Sequence, residues 1–78
     1  MFLHIGGDDS VAFDEILSMH DYERCVKSAV NRKFLNNREK ETVNLAGKEP
    51  KTIIFTKERI YISSISVMTL KSRMESNM

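Results

Sequence analysis

Residues 52–63, "TIIFTKERIYIS", set two β-rich runs around a charged centre, with Ile53 and Phe55 before it and Ile60 and Ile62 after it. β-Branched and aromatic residues at alternate positions suit a pleated, half-buried surface, and Lys57-Glu58 supplies a polar turn between them. The stretch predicts a hairpin that forms the core of the domain. Immediately upstream, "GKEPK" (47–51) reads as a loop, because Pro50 forbids helix and its missing N–H keeps that position out of a central ladder. "TVNLA" (42–46) reads as a short extended piece before that loop.

Further toward the N-terminus the apolar period changes. In "DYERCVKSAVNRKFLNNREKE" (21–41), Tyr22, Cys25, Val26, Ala29, Val30 and Phe34 recur at three- and four-residue steps, which predicts one continuous helix with a single apolar stripe. Asp21 is its expected N-cap, Glu23 lies in the first turn, and Asn36-Asn37 provide a stop. Lys27, Asn31, Arg32 and Arg38 fall away from the stripe, so the exposed face is basic. Before the helix, "FLHI" (2–5) reads as a strand and "GGDD" (6–9) as a tight turn whose glycines tolerate positive φ. "VAFDEILSM" (11–19) reads as extended, with a bulge or short break at Ile16 and Leu17. After the hairpin, Ser66 caps a last short helix, "VMTLKSRMES" (67–76), with Val67, Leu70 and Met74 on one face. The order of strands, helix, strands and helix predicts a small α+β domain of short antiparallel strands with one central helix and a short C-terminal helix, a single domain over residues 1–78.

A chain of 78 residues buries a modest fraction of its surface and commonly needs disulfides, metal or oligomerisation for support. The lone cysteine, Cys25, permits no intrachain bridge and points to a reducing, cytoplasmic compartment. Two histidines, His4 and His20, show none of the paired spacings of zinc sites. Oligomerisation is the remaining support. No apolar run approaches a membrane span, and the first residues lack the basic and apolar segments of a signal peptide.

The formal net charge is only +1, yet it is unevenly spread. Residues 1–23 carry six acidic residues and no Lys or Arg, whereas residues 24–78 carry all 12 basic residues against five acidic ones, a net +7. Such asymmetry presents a basic surface to an anion such as nucleic acid, or sets an acidic edge of one copy against a basic edge of the next. Two solvated faces without partners are the plainer reading.

Catalytic chemistry finds little to work with. Cys25 on the helix stripe is expected to be buried and inert, His4 to be a half-buried structural residue and His20 to be exposed. Asp8/Asp9 and Asp14/Glu15 are sequence neighbours, which in strands point to opposite faces instead of flanking one substrate. Two aspartates alone offer too few ligands for a metal, and two glycines too short a pattern for a phosphate loop. The expectation is a protein without enzymatic activity, cofactor or metal.

Taken together, "MFLHIGGD", "SAVNRKFL", "PKTIIFT" and "YISSISVMTL" resemble the RemA/RemB family of bacterial extracellular-matrix (biofilm) regulators, in particular its RemB-like branch, over nearly the whole chain. The resemblance implies a cytoplasmic, DNA-associated, non-enzymatic regulator. It also implies a ring-like homo-oligomer that binds DNA through basic residues, in an arrangement compared with LytTR-type DNA-binding domains, with a RemA-like protein as a candidate partner. RemA-like proteins carry a glycine, two arginines, one residue and a further arginine before the hydrophobic strand. Here the same stretch is Gly47, Lys48, Glu49, Pro50 and Lys51, so two basic positions persist as lysine and one has become acidic. A lysine meets phosphate as a point charge without the planar fork of arginine. In the second strand, an asparagine-arginine pair of the RemA pattern is replaced by Asp14-Glu15.

Two readings follow. In the first, the chain is a DNA-binding regulator of matrix genes, gripping the phosphate backbone of double-stranded DNA through Lys48 and Lys51 of the loop and Lys27, Asn31 and Arg32 of the helix, with little base readout. A ring raises its effective affinity by presenting many weak contacts at once. In the second, it is an oligomeric protein-interaction module that binds no DNA, which Glu49 and Glu15 favour.

Overall fold

A computed structural model describes residues 1–76; the last two residues of the expected 1–78 domain lie outside the described residues. The hairpin forms as the sequence predicts, from β5 (Thr52–Thr56) and β6 (Ile60–Ser63). Thr56 closes its turn, its Oγ1 accepting from the Arg59 amide at 3.0 Å. β3 (Ile16–Asp21) pairs antiparallel with the free edge of β5, and β4 (Thr42–Asn44) with the free edge of β6, giving the sheet order β3-β5-β6-β4. The β4–β6 pairing is parallel, a departure from the all-antiparallel expectation. β5 is flanked on both sides, by β3 and β6, so β4 takes the outer edge of β6; the short loop over 45–51 returns the chain to the start of β5, so β4 runs opposite to β5 and hence parallel to β6.

Alternation then sorts the sheet's side chains between two cores. Met19, Ile54 and Tyr61 stand opposite one another on neighbouring strands and pack toward Leu3, Ile5 and Val11. These last three come from a separate two-stranded hairpin, β1 (Phe2–Gly6) and β2 (Asp9–Ala12), joined by the expected turn. Gly6 and Gly7 have φ of 138° and 54°, values that side chains seldom adopt. Leu70 of α3 (Val67–Ser76) completes this core at 0% exposure, with Met74 packed beside it. Ser66 caps α3 as predicted, accepting from the Thr69 amide at 3.2 Å. On the opposite face of the sheet Ile53 and Ile60 meet Cys25, with Tyr22, Val26, Leu35, Phe55 and Ile62 around them.

Two buried polar side chains bind the layers together. Thr52 and Ser63 face each other across the hairpin, and both are fully buried. Thr52 Oγ1 donates to the Ile65 carbonyl at 2.6 Å while Ser63 Oγ accepts from the Ile65 amide at 3.0 Å, so the link to α3 is held at both backbone groups. Ser63 Oγ also donates to the Ile5 carbonyl at 2.6 Å. Ile5 sits where the β1–β2 register shifts and has no ladder partner there, so the hydroxyl takes the place of the missing strand bond. A second shift, between Ile16 and Ser18, is the bulge expected at this point and leaves Leu17 65% exposed.

The single unbroken helix expected between the Asp21 cap and the Asn36-Asn37 stop is not observed. The segment forms α1 (Tyr22–Lys27) and α2 (Ala29–Asn37), followed by a 3-10 turn over Glu39–Glu41. Asp21 caps α1 as predicted, accepting from the Arg24 amide at 3.1 Å, and α2 stops at the asparagine pair. Between the two helices Ser28 is extended, with φ −81° and ψ 125°, and its Oγ accepts from the Asn31 amide at 3.3 Å. A serine that caps a new helix competes with continuing the old one. The break resets the helical phase, so Val30 (77% exposed) and Phe34 (42%) leave the predicted stripe and Leu35 takes the core position.

Candidate nucleic-acid interface

The loop that carries Lys48 and Lys51 is built, not slack. Asn44 Oδ1 accepts from the Ala46 amide at 2.9 Å, and the Glu49 amide bonds to the Ala46 carbonyl at 3.2 Å. Gly47 turns the chain at φ 60°. Beyond Pro50, the Lys51 amide donates to the Ser63 carbonyl at 2.8 Å and its carbonyl accepts from the Tyr22 amide at 2.9 Å, which sets the loop against the start of α1. Both lysines are exposed. They share one shallow depression with Tyr22, Glu23, Glu49 and Pro50, so two carboxylates stand beside two ammonium groups. The sequence reading identified Glu49 but not Glu23, which lies far away along the chain.

The other three predicted contacts lie on the helical layer, outside the loop's depression. Lys27 is the exposed last residue of α1. Arg32 turns back on α1: its Nη1 donates to the Val26 carbonyl at 2.6 Å and the Lys27 carbonyl at 3.2 Å, taking up two carbonyls that the short helix leaves open. Arg32 also borders a groove of about 540 Å³ with Tyr22, Leu35, Glu39 and Ile62. Asn31, its neighbour in sequence, borders a different groove of about 730 Å³ at the β3 edge. The structure therefore brings Lys48 and Lys51 together, and gives Asn31 and Arg32 separate surroundings.

A larger basic feature emerges from the helices as a whole. Residues 24–38 contain Arg24, Lys27, Arg32, Lys33 and Arg38 with no acidic residue, and all five are exposed. Of these Arg38 pairs with Glu41 at 3.5 Å and lies over the Phe34 ring at 4.6 Å. Asp8, Asp9, Asp14 and Glu15 belong to the segment whose core contacts lie on the other face of the sheet. Asp8 and Asp9 thus lie across the sheet from the basic helical layer, whereas Asp21 and Glu23 stand at the start of α1, and Lys71 and Arg73 of α3 share the hairpin's side.

Cys25 is 8% exposed, and burial pushes its thiol above the ordinary value of 9.0. His4 corrects an expectation: it is exposed, not half-buried, because its Nε2 staples the β1–β2 turn by donating to the Gly7 carbonyl at 2.8 Å. His20 is exposed as expected, sharing a hydrogen bond with Ser18 Oγ at 3.0 Å and meeting the Phe55 ring edge-on. Among the described residues no three His, Cys, Asp or Glu side chains gather to hold a metal, and no helix is long and apolar enough to cross a membrane.

Comparison with known proteins adds two findings. The chain is 32% identical over 73 residues to the extracellular matrix regulatory protein B of Bacillus subtilis (strain 168), covering 94% of this chain and 89% of that protein. Residues 2–74 match the family described as RemA-like, extracellular matrix regulatory protein A-like. The matched span runs from the first residue of β1 to Met74, which packs against the hairpin core, so every core residue named above lies inside it and the chain belongs to the RemA-like family.

Proposed function

We propose that this chain is a non-enzymatic, cytoplasmic regulator of extracellular-matrix genes that associates with double-stranded DNA as a head-to-tail homo-oligomer. The observation that carries this reading beyond family membership is the acid-free run of five exposed basic residues on the helical layer, opposite the acidic hairpin. A flat basic layer meets phosphates without reading bases, and repetition of that layer in an assembly multiplies weak contacts. Lys27 and Lys33 are the central contacts in this reading, with Lys48 and Lys51 as a second and weaker patch, because Glu23 and Glu49 share their depression. Arg32 serves chiefly to hold α1 against α2. The same dipolar charge pattern supports assembly, since the basic face of one copy attracts the acidic hairpin of the next. Closed rings are the form in which such heterologous contacts avoid fibres.

The test is fluorescence anisotropy of labelled duplexes at several salt concentrations, alongside the mass in solution. Lys27→Glu with Lys33→Glu is expected to abolish binding to unrelated duplexes equally and leave the oligomer intact. Glu49→Arg is expected to strengthen binding at low salt and steepen the salt slope by about 0.9 for each additional phosphate neutralised. A monomeric mass at micromolar concentration refutes the assembly. An oligomer indifferent to DNA at low salt leaves a protein-interaction module, the reading that the paired glutamates of the loop favour.

A further inference from the structure

One concavity stands apart from the lysine loop and shares only Arg24 and Asn31 with the duplex reading. It is an open groove of about 730 Å³ at the outer edge of β3, roofed by α1 and α2 and closed at one end by Val67 of α3. That size falls within the range of small-ligand sites, roughly 300–1,000 Å³. Met19, Cys25 and Val67 make its apolar lining, and three rings gather in it. The His20 and Phe55 centroids are 5.6 Å apart at 74°, and those of Phe34 and Phe55 are 6.0 Å apart at 53°. Phe34 keeps 42% of its surface exposed, although the Arg38 guanidinium covers it at 4.6 Å.

The polar groups narrow the class of occupant. Ser18 and His20 satisfy each other. Asp21, the one carboxylate lining the groove, caps α1 through the Arg24 amide. Among the described residues the Arg24 guanidinium and the Asn31 carboxamide have neither an ion-pair nor a hydrogen-bond partner in the protein. A purely apolar occupant would strip water from both and leave them unpaired. A nucleotide meets all three demands: a base offers a π-face to the rings, its edge offers a donor and an acceptor to a carboxamide, and its phosphate suits a guanidinium.

We propose that this groove binds a nucleotide, as a free nucleoside monophosphate or as one unstacked nucleotide of a single strand, with the base among His20, Phe34 and Phe55 and the phosphate on Arg24. The site goes beyond the duplex reading and does not depend on it. Asn31, expected from sequence to contact phosphate, faces the base here.

The test follows amide shifts of the full chain in 15N-labelled form during titration with AMP, adenosine and inorganic phosphate. AMP is expected to shift residues 18–21, 24, 25, 31, 34, 55 and 67 saturably, with adenosine weaker and phosphate alone inert. Arg24→Gln should weaken AMP by about tenfold and leave adenosine unchanged, whereas Phe34→Ser should weaken both by about tenfold. Both side chains are exposed, so both variants are expected to fold, with an unshifted amide spectrum away from the groove as the check. A short oligodeoxyadenylate that binds the same amides more tightly than AMP identifies a strand as the occupant; equal or weaker binding identifies the free nucleotide. The proposal fails if millimolar AMP shifts no groove amide, if phosphate reproduces the shifts, or if Arg24→Gln weakens adenosine as much as AMP. A chain that binds duplex without groove shifts overturns this site alone, and one that binds AMP but ignores duplex overturns the duplex reading alone.

Discussion

Replacing Ser63 by alanine removes one oxygen atom and tests how the hairpin layer is joined to the sheet. The hydroxyl is fully buried, donates to the Ile5 carbonyl at 2.6 Å and accepts from the Ile65 amide at 3.0 Å. Water cannot replace it at Ile5, a residue with 0% exposure whose register position lacks a strand partner. An orphaned buried backbone group costs about 1–3 kcal/mol. The Ile65 amide is only partly buried and recovers some of its loss, so the two together come to about 2–4 kcal/mol. For a domain of this size each kcal/mol lowers Tm by about 4–8 °C, so a fall of about 8–30 °C is expected. Urea unfolding followed by far-UV circular dichroism, at one fixed protein concentration because assembly shifts apparent stability, reads the change directly. The midpoint should fall with the m-value unchanged. Ser64→Ala, at an exposed position next door, should stay within about 0.5 kcal/mol of the parent. A Ser63→Ala loss below about 0.5 kcal/mol would refute the claim that this hydroxyl joins the two layers.

The remaining expectations are briefer. Leu70→Ala, at a fully buried position between α3 and the hairpin, should cost about 2–5 kcal/mol in the same assay, while Met68→Ala, at 83% exposure on the same helix, should cost almost nothing. Ser28→Ala should cost about 1 kcal/mol by removing the α2 cap; an unchanged stability with increased helicity would mean that the break has another cause. The Cys25 thiol, held protonated by burial, should react with a disulfide reagent at neutral pH far more slowly than the same thiol in urea. Because its folded value is raised, the unfolded chain ionises first as pH rises. Its contribution to stability is thus fully present below the unfolded value and is lost on passing above it toward the folded one, a loss that Cys25→Ser should suppress.

Much of the fold is legible in short stretches. The 52–63 hairpin, the glycine turn, the bulge at Leu17, the Asp21 and Ser66 caps and the Asn36-Asn37 stop each depend on a few neighbouring residues. The helix expected from Asp21 to the asparagine stop misleads because its apolar spacing continues through Ser28, and spacing carries no information about whether a serine side chain caps the turn that follows it. Charge or polarity in an exposed loop or helix face defines the five predicted contact residues. That criterion cannot distinguish Lys27, which stands exposed at a helix end, from Arg32, which is spent on its own backbone. Arg24 and Lys33 belong to the same acid-free run and were within reach of a charge count confined to residues 24–38.

By itself the sequence determines the local elements and the separation of acidic from basic residues along the chain, because dihedral preferences, caps and periodicity act over a few residues and net charge is additive. Three features belong to the tertiary structure alone. β4 takes the outer edge of β6 because β5 is already flanked on both sides, and it runs parallel to β6 because the short loop over 45–51 turns it back into β5, which is antiparallel to β6. Asp8 and Asp9 lie across the sheet from the basic run over 24–38 because a sheet's two faces accept different layers. The ring-lined groove exists because the continuous β3–α1–α2 segment, Phe55 and Val67 converge from three separate parts of the chain. Such convergence depends on which strand edges remain free and on which face each core residue points to, and no stretch of sequence carries that information until the rest of the chain has folded around it.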